Sequence, residues 1–115
     1  MTRPEHPIEM ASGANVRTGG VWTDSSSREK KENIIELSPE EALAALAKLE
    51  PVAFNYKQED QEQYVGFIVE DVPELVASSD RIGLSAMDIV AVLTRVVQIQ
   101  QQQIAELESR LQERE

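Results

Sequence analysis

The sequence predicts an α+β fold, with a small globular part of short antiparallel strands and one capped helix, followed by a long C-terminal helix. Three observations carry this reading. "SPEEALAALAKL" has a cap, an early proline and the apolar spacing of a helix. "PVAFNYK" and "YVGFIV" show the alternation of half-buried strands. From Ser85 to the end of the chain, apolar residues recur at heptad spacing.

The first 24 residues hold two of the five prolines, Pro4 and Pro7, and three of the five glycines, Gly13, Gly19 and Gly20. "NVRTGGVWT" predicts two short strands around the Gly-Gly turn. The segment is too short to fold alone and reads as the end of something longer or as a terminal arm. Trp22 either anchors that end or covers a hairpin. His6, in a Pro-flanked arm, reads as a solvated side chain. "MTRPEHPIEM" lacks the apolar stretch of a signal peptide, so none is expected.

In the helix predicted over 38–49, Ser38 is the N-cap, Pro39 takes the first helical position and Glu41 completes a capping box. Leu37 and Ala42 occupy hydrophobic-staple positions. Ala42, Leu46 and Leu49 form one apolar face, widened by Leu43, and Pro51 helps to stop the helix. Val52, Phe54 and Tyr56 then share one side of a strand. The polar residues 58–63, "QEDQEQ", are expected to form a loop before a second strand, "YVGFIV", in which Gly66 marks a bulge or a close backbone approach. "EDVPELV" reads as a short helical turn and "SSDRIG" as a turn.

The last helix, about 86–115, opens with a Ser-x-x-Asp cap at Ser85 and Asp88. One register places Val90, Val97, Ile104 and Leu111 at a, and Ala86, Leu93, Gln100, Leu107 and Arg114 at d. A second stripe, Ile89, Val92, Val96 and Ile99, covers only the first half. That half should be buried on two sides, against its own domain and a partner. The polar second half carries the narrow seam of a coiled coil, with Glu106 and Arg110 as a favourable i,i+4 pair.

Composition narrows the function. An apolar fraction of 41% with only 4% aromatic residues in 115 residues allows a modest core, and self-association is one way to supplement it. There is no cysteine and one histidine, so neither a disulfide nor a transition-metal site is expected. The acidic clusters Glu59–Asp60–Glu62 and Glu70–Asp71 lack Ca²⁺-loop spacing. No cofactor is expected. The net charge of −10 is uneven: residues 1–31 carry +1 and residues 32–115 carry −11. An acidic body repels phosphates, which argues against a nucleic-acid partner. The longest wholly apolar run, Ile89 to Leu93, is far short of a membrane span.

Chemistry concentrates at the junction "SSSREKKENII". A serine hydroxyl becomes nucleophilic when a neighbour removes its proton, and a lysine can do so only as the neutral amine. Desolvation and nearby cations favour that form, and Arg28 and Lys30 crowd Lys31. Ser26 precedes Lys31 by five positions, a spacing that does not align on one helix face. The segment must therefore loop for the two to meet.

"SSSREKKENI", the capped helix, "LEPVAFNYK", "YVGFIVEDVPELV" and the C-terminal helix, in that order, resemble the endosialidase-type intramolecular chaperone domain. This is the self-cleaving C-terminal domain of phage tail spikes and tail fibres, and it also occurs in related bacterial and animal proteins. The resemblance covers about residues 22–115. The family's Ser-x-x-x-x-Lys-x-Asn-Ile motif falls on Ser26, Lys31, Asn33 and Ile34. It implies a single-turnover serine peptidase with Ser26 as nucleophile, Lys31 as general base and the Ser25–Ser26 bond as the cut. Residues 1–25 would then be the remnant of an upstream β-stalk or passenger, and 26–115 the chaperone domain. Asn33 either supports the cut by binding backbone or caps a short turn. Two departures stand out: Ser27 replaces a frequent Asp, and Lys30 replaces a Leu or an aromatic. They are expected to slow cleavage and spare assembly. "GFIVEDV" departs mildly from the usual Gly-Phe-Ile-Ala-Gln-Glu-Val.

The resemblance also implies a homotrimer built on Val90, Leu93, Val97, Gln100, Ile104, Leu107 and Leu111, folding a passenger of the same chain. β-branched residues at a with Leu at d favour two strands in parallel model coils, a preference that Gln100 at d disturbs. The implied setting is a virion tail or prophage-encoded protein made in the bacterial cytoplasm. Two alternatives stand beside this reading: a non-catalytic trimerisation cap with an inactive dyad, and a coiled-coil adaptor for a different protein.

Overall fold

The computed structural model describes residues 6–114. The chain divides after Ile35 into two compact units.

The first unit is a three-stranded antiparallel meander, β1 (Ile8–Glu9), β2 (Asn15–Val16) and β3 (Trp22–Thr23). The hairpin around the Gly-Gly turn is present: Val16 pairs with Trp22, and Gly20 adopts a φ of 85°. β1, which pairs Ile8 with Val16, adds a strand that the sequence does not signal. A two-residue strand shows no alternation to read. It is joined to β2 by a turn in which Gly13 has a φ of 99°, a conformation that favours glycine. Trp22 is 60% exposed, whereas Val16 is buried.

The second unit begins with α1 (Pro39–Lys48). Ser38 Oγ accepts from the Glu41 backbone N–H at 3.1 Å and donates to Glu41 Oε1 at 3.2 Å. The N-cap is therefore the expected one, but the Glu41 carboxylate closes on the serine hydroxyl and not on the Ser38 backbone N–H that a capping box uses. The buried face is Ala42, Ala45, Leu46 and Leu49, and Leu43 is exposed. The expectation for Leu43 is thus corrected. The i, i+3, i+4, i+7 stripe runs through Ala45, and small alanines allow a neighbouring helix to approach.

β4 (Val52–Tyr56) and β5 (Glu59–Gly66) pair antiparallel. The polar stretch 58–63 is mostly strand, not loop, and the turn is only Lys57–Gln58. These residues are solvent-exposed and give no apolar signal in the sequence; Glu59 pairs with Tyr56 at the turn, and the register shifts before Tyr64 pairs with Phe54. β5 in turn stops at Gly66, and Phe67–Ile68 leave the ladder. Gly66 marks a close approach: a Cβ there would lie 3.3 Å from the Phe54 ring. Phe54, Tyr56 and Tyr64 cluster on the hairpin. The Tyr64 hydroxyl donates to Glu59 at 2.9 Å, which holds its pKa above the ordinary value.

"EDVPELV" becomes two 3₁₀ turns, Val69–Asp71 and Glu74–Val76, separated at Pro73. Arg81, at a left-handed φ of 55°, donates through one Nη to the Val69 and Val72 carbonyls at 3.1 and 2.9 Å. In the same turn, Ser78 and the Ile82 N–H hold the Asp80 carboxyl below the usual range.

α2 (Ala86–Glu113) is 28 residues long. The Ser85 side chain makes no capping bond, contrary to the Ser-x-x-Asp expectation, and only its carbonyl accepts, from the Asp88 N–H. Ala45, Val72, Val76, Ile89 and Val92 form the core, with Leu37, Leu46, Leu49, Phe67 and Leu84 packed around it. Arg95 Nε donates to the Leu37 carbonyl at 2.9 Å, tying α2 to the segment that leads into α1. Glu106 and Arg110 form the expected exposed pair at 3.2 Å.

Val92, 1% exposed, sits where α2 meets this core. Val92→Ala is expected to cost about 1.5–3 kcal/mol in thermal or urea unfolding, through lost burial and the cavity left behind. Arg81→Ala strips two part-buried carbonyls of a charged donor and is expected to cost about 1–3 kcal/mol by the same measurement.

Candidate active site

The junction lies in the first unit. β3 runs into Asp24, Ser25 and Ser26, and a single 3₁₀ turn, Arg28–Lys30, reverses the chain. Ser27 starts that turn: its Oγ accepts from the Glu29 N–H at 3.3 Å. An aspartate, the residue expected there from the resemblance, can cap in the same way. The Lys30 and Lys31 amides close the turn on the Ser27 and Arg28 carbonyls, both at 3.1 Å. Lys31 is then extended, with φ −119° and ψ 149°.

A five-residue separation that misses on an α-helix works here, because one tight turn lies between two extended residues. Lys31 Nζ is 2.5 Å from Ser26 Oγ. The same offset brings Lys30 Nζ to 3.0 Å from Ser25 Oγ. Two Ser–Lys pairs therefore stand side by side, shifted by one residue. Lys30 Nζ also donates to the Ser12 carbonyl.

Ser26 and Lys31 are both exposed, and Ser25 is half-buried. The desolvation expected around Lys31 is thus not supplied by its own chain. Asn33 has a φ of 54°, a left-handed conformation that asparagine tolerates better than most residues. The 3₁₀ turn is capped by Ser27 and α1 by Ser38, so Asn33 caps neither. It directs the chain out of the junction. Sequence reasoning missed the second Ser–Lys pair, Ser25 with Lys30, although the doubled serines and doubled lysines at the same offset are a visible signal.

The seam lies in the second unit. Ile89, Val92 and Val96 are buried and Ile99 is half-buried, so the second stripe faces the domain itself. The heptad stripe is exposed at Val90, Leu93, Val97, Ile104, Leu107 and Leu111, and Gln100 is exposed with it. In the first half, Val90, Leu93, Thr94, Val97 and Gln98 line a shallow apolar groove. Among the described residues there is no cluster of three metal-ligating side chains, and no helix is long and apolar enough to cross a membrane.

Comparison with known proteins adds one finding. A family model described as chaperone of endosialidase matches residues 26–81. The match begins at Ser26 and runs through the junction turn, α1, the β4–β5 hairpin and the two later 3₁₀ turns to Arg81. No curated protein and no solved structure matches the chain. The matched segment opens on the serine that Lys31 contacts and takes in the blocks on which the sequence resemblance rested, except the C-terminal helix. Residues 26–81 thus match the endosialidase chaperone family, as the sequence resemblance implied.

Proposed function

We propose that this chain is the C-terminal trimerisation and folding chaperone of a tail-fibre-like protein, and that it releases itself once by cutting the Ser25–Ser26 bond. The observation that carries the reading is the contact of Lys31 Nζ with Ser26 Oγ at 2.5 Å, at the first residue of the matched segment. The exposed seam of α2 supports the assembly half. Six large apolar side chains along it, each 43–63% exposed, gain burial only from other helices.

In the proposed reaction, neutral Lys31 takes the Ser26 hydroxyl proton as Oγ attacks the Ser25 carbonyl carbon. The tetrahedral adduct collapses, the Ser25–Ser26 C–N bond breaks, and Lys31 returns the proton to the leaving Ser26 nitrogen. An ester now joins the Ser25 carbonyl to Ser26 Oγ. One water hydrolyses it, leaving a carboxylate on Ser25 and a free hydroxyl and amine on Ser26. Because Lys31 is exposed in a single chain, assembly has a chemical role, in which a neighbouring subunit supplies the desolvation that favours the neutral amine. Cleavage then follows trimer formation, and the passenger is released only after it has been brought together.

The same exposure of both dyad residues favours a second reading, a trimerisation cap of identical fold that does not cut. Intact mass and light scattering on freshly expressed protein separate the two. Trimers of residues 26–115 with a free 1–25 fragment support cleavage, and uncut trimers over days at pH 8 support the cap. A monomer at micromolar concentration removes both.

Ser26→Ala and Lys31→Ala are each expected to abolish the cut, with helix content by circular dichroism and assembled mass by light scattering unchanged. Gln100→Leu replaces a polar d layer with an apolar one. It is expected to raise the melting temperature of the assembly, since burying a leucine is worth roughly 1.5–3 kcal/mol, and to loosen the choice of helix number seen by light scattering.

A further inference from the structure

Lys30 does more than crowd Lys31 with charge. Its Nζ donates to Ser25 Oγ at 3.0 Å and to the Ser12 carbonyl. Ser25 is the residue whose carbonyl is attacked in the proposed reaction. Ser12 lies in the turn between β1 and β2, on the upstream side of the cut, whereas Lys30 lies on the downstream side. One ammonium therefore joins both sides of the scissile bond. Gly13 makes room for it: a Cβ at that position would lie 3.3 Å from Lys30 Nζ and 3.6 Å from Ser25 Oγ.

A lysine nitrogen that donates to a carbonyl as well as to a hydroxyl is engaged as a tether, since a carbonyl has no proton for it to take. Among the described residues, Lys31 has no such tie to the upstream turn. The two lysines thus divide the work, although their serine offsets are identical.

We infer that Lys30 is a positioning residue, which clamps the upstream turn and Ser25 so that the Ser25 carbonyl is held against Ser26 Oγ. This rests on the proposed cleavage reading. Attack needs the reacting atoms held within a narrow range of distance and angle. The 3₁₀ turn fixes Ser26 and Lys31, but the acyl side of the bond belongs to a segment that enters from β3. Lys30 is the link between that segment and the turn. The departure from an apolar residue at this position is on this view an exchange, in which a packed anchor gives way to a hydrogen-bonded one.

The test follows the first-order rate of cleavage in the full chain by intact mass, across a pH series. Lys30→Met keeps the length of the side chain and removes the donor. It is expected to lower the plateau rate by about tenfold to a hundredfold, with the pH profile in place. Lys30→Arg, which restores a charged donor, is expected to recover most of the rate. Ser25→Ala removes one of the two acceptors and is expected to fall between wild type and Lys30→Met. An unchanged plateau with the profile moved to higher pH means that Lys30 acts only through its charge on Lys31, and overturns the clamp.

Amide exchange in the uncleavable Ser26→Ala chain gives a second readout that needs no cutting. Adding Lys30→Met there is expected to speed exchange at Gly13 and Ala14, in the tethered turn, while α1 and α2 stay protected. Unchanged exchange at the turn overturns the clamp, even if cleavage occurs. A wild-type chain that never cuts defeats the cleavage reading, and the exchange result then decides separately whether Lys30 holds the turn.

Discussion

A 28-residue helix carries two apolar stripes, and the small domain beside it covers one of them. That constraint organises the second unit. The alanine face of α1, Ala42 and Ala45, lets α2 come close, and Ile89, Val92 and Val96 are buried as a result. Val72 and Val76 close the core, and the heptad stripe is left outside it. Arg95, bonded to the Leu37 carbonyl, ties α2 to the segment before α1. The free stripe is a consequence of how small this core is.

The junction works under a different constraint, the reach of a lysine. Five residues separate each serine from its lysine, and the α-helix would place them on different faces. One 3₁₀ turn between extended residues puts each Nζ beside a serine on the other side of the turn. Doubling the motif by one residue creates a choice between two similar pairs. Surroundings make that choice: Lys30 finds the Ser12 carbonyl and the space left by Gly13, whereas Lys31 is bonded to Ser26. A sequence offset names the candidates, and the third partner separates their roles.

The two constraints meet in the proposed function. Ser26 and Lys31, the proposed nucleophile and base, are solvent-exposed in the single chain and poorly placed to react until something excludes water. A helix with an uncovered stripe is poorly placed to remain alone. On the proposed reading, association would answer both needs and order them in time, so that a passenger is not released before its subunits are gathered.

The sequence by itself determined the elements whose cause is local. Ser38, Pro39 and Glu41 specify the start of α1, Gly19 and Gly20 specify the turn before Trp22, and the two stripes specify α2 before any packing is known. It also pointed to the family whose model matches residues 26–81, because the order of several blocks around Ser26, Lys31 and Asn33 is more specific than any one of them. The tertiary structure decided what depends on distant neighbours. The polar stretch 58–63 is mostly strand, entered where Glu59 pairs with Tyr56 across the turn, a pairing absent from its own composition. Ala45 is buried and Leu43 is not because α2 takes one side of α1. Ser85 leaves its cap unmade. Which stripe of α2 stays open, and which lysine is tied to the upstream turn, are settled by contacts with residues far along the chain, and periodicity carries no record of those.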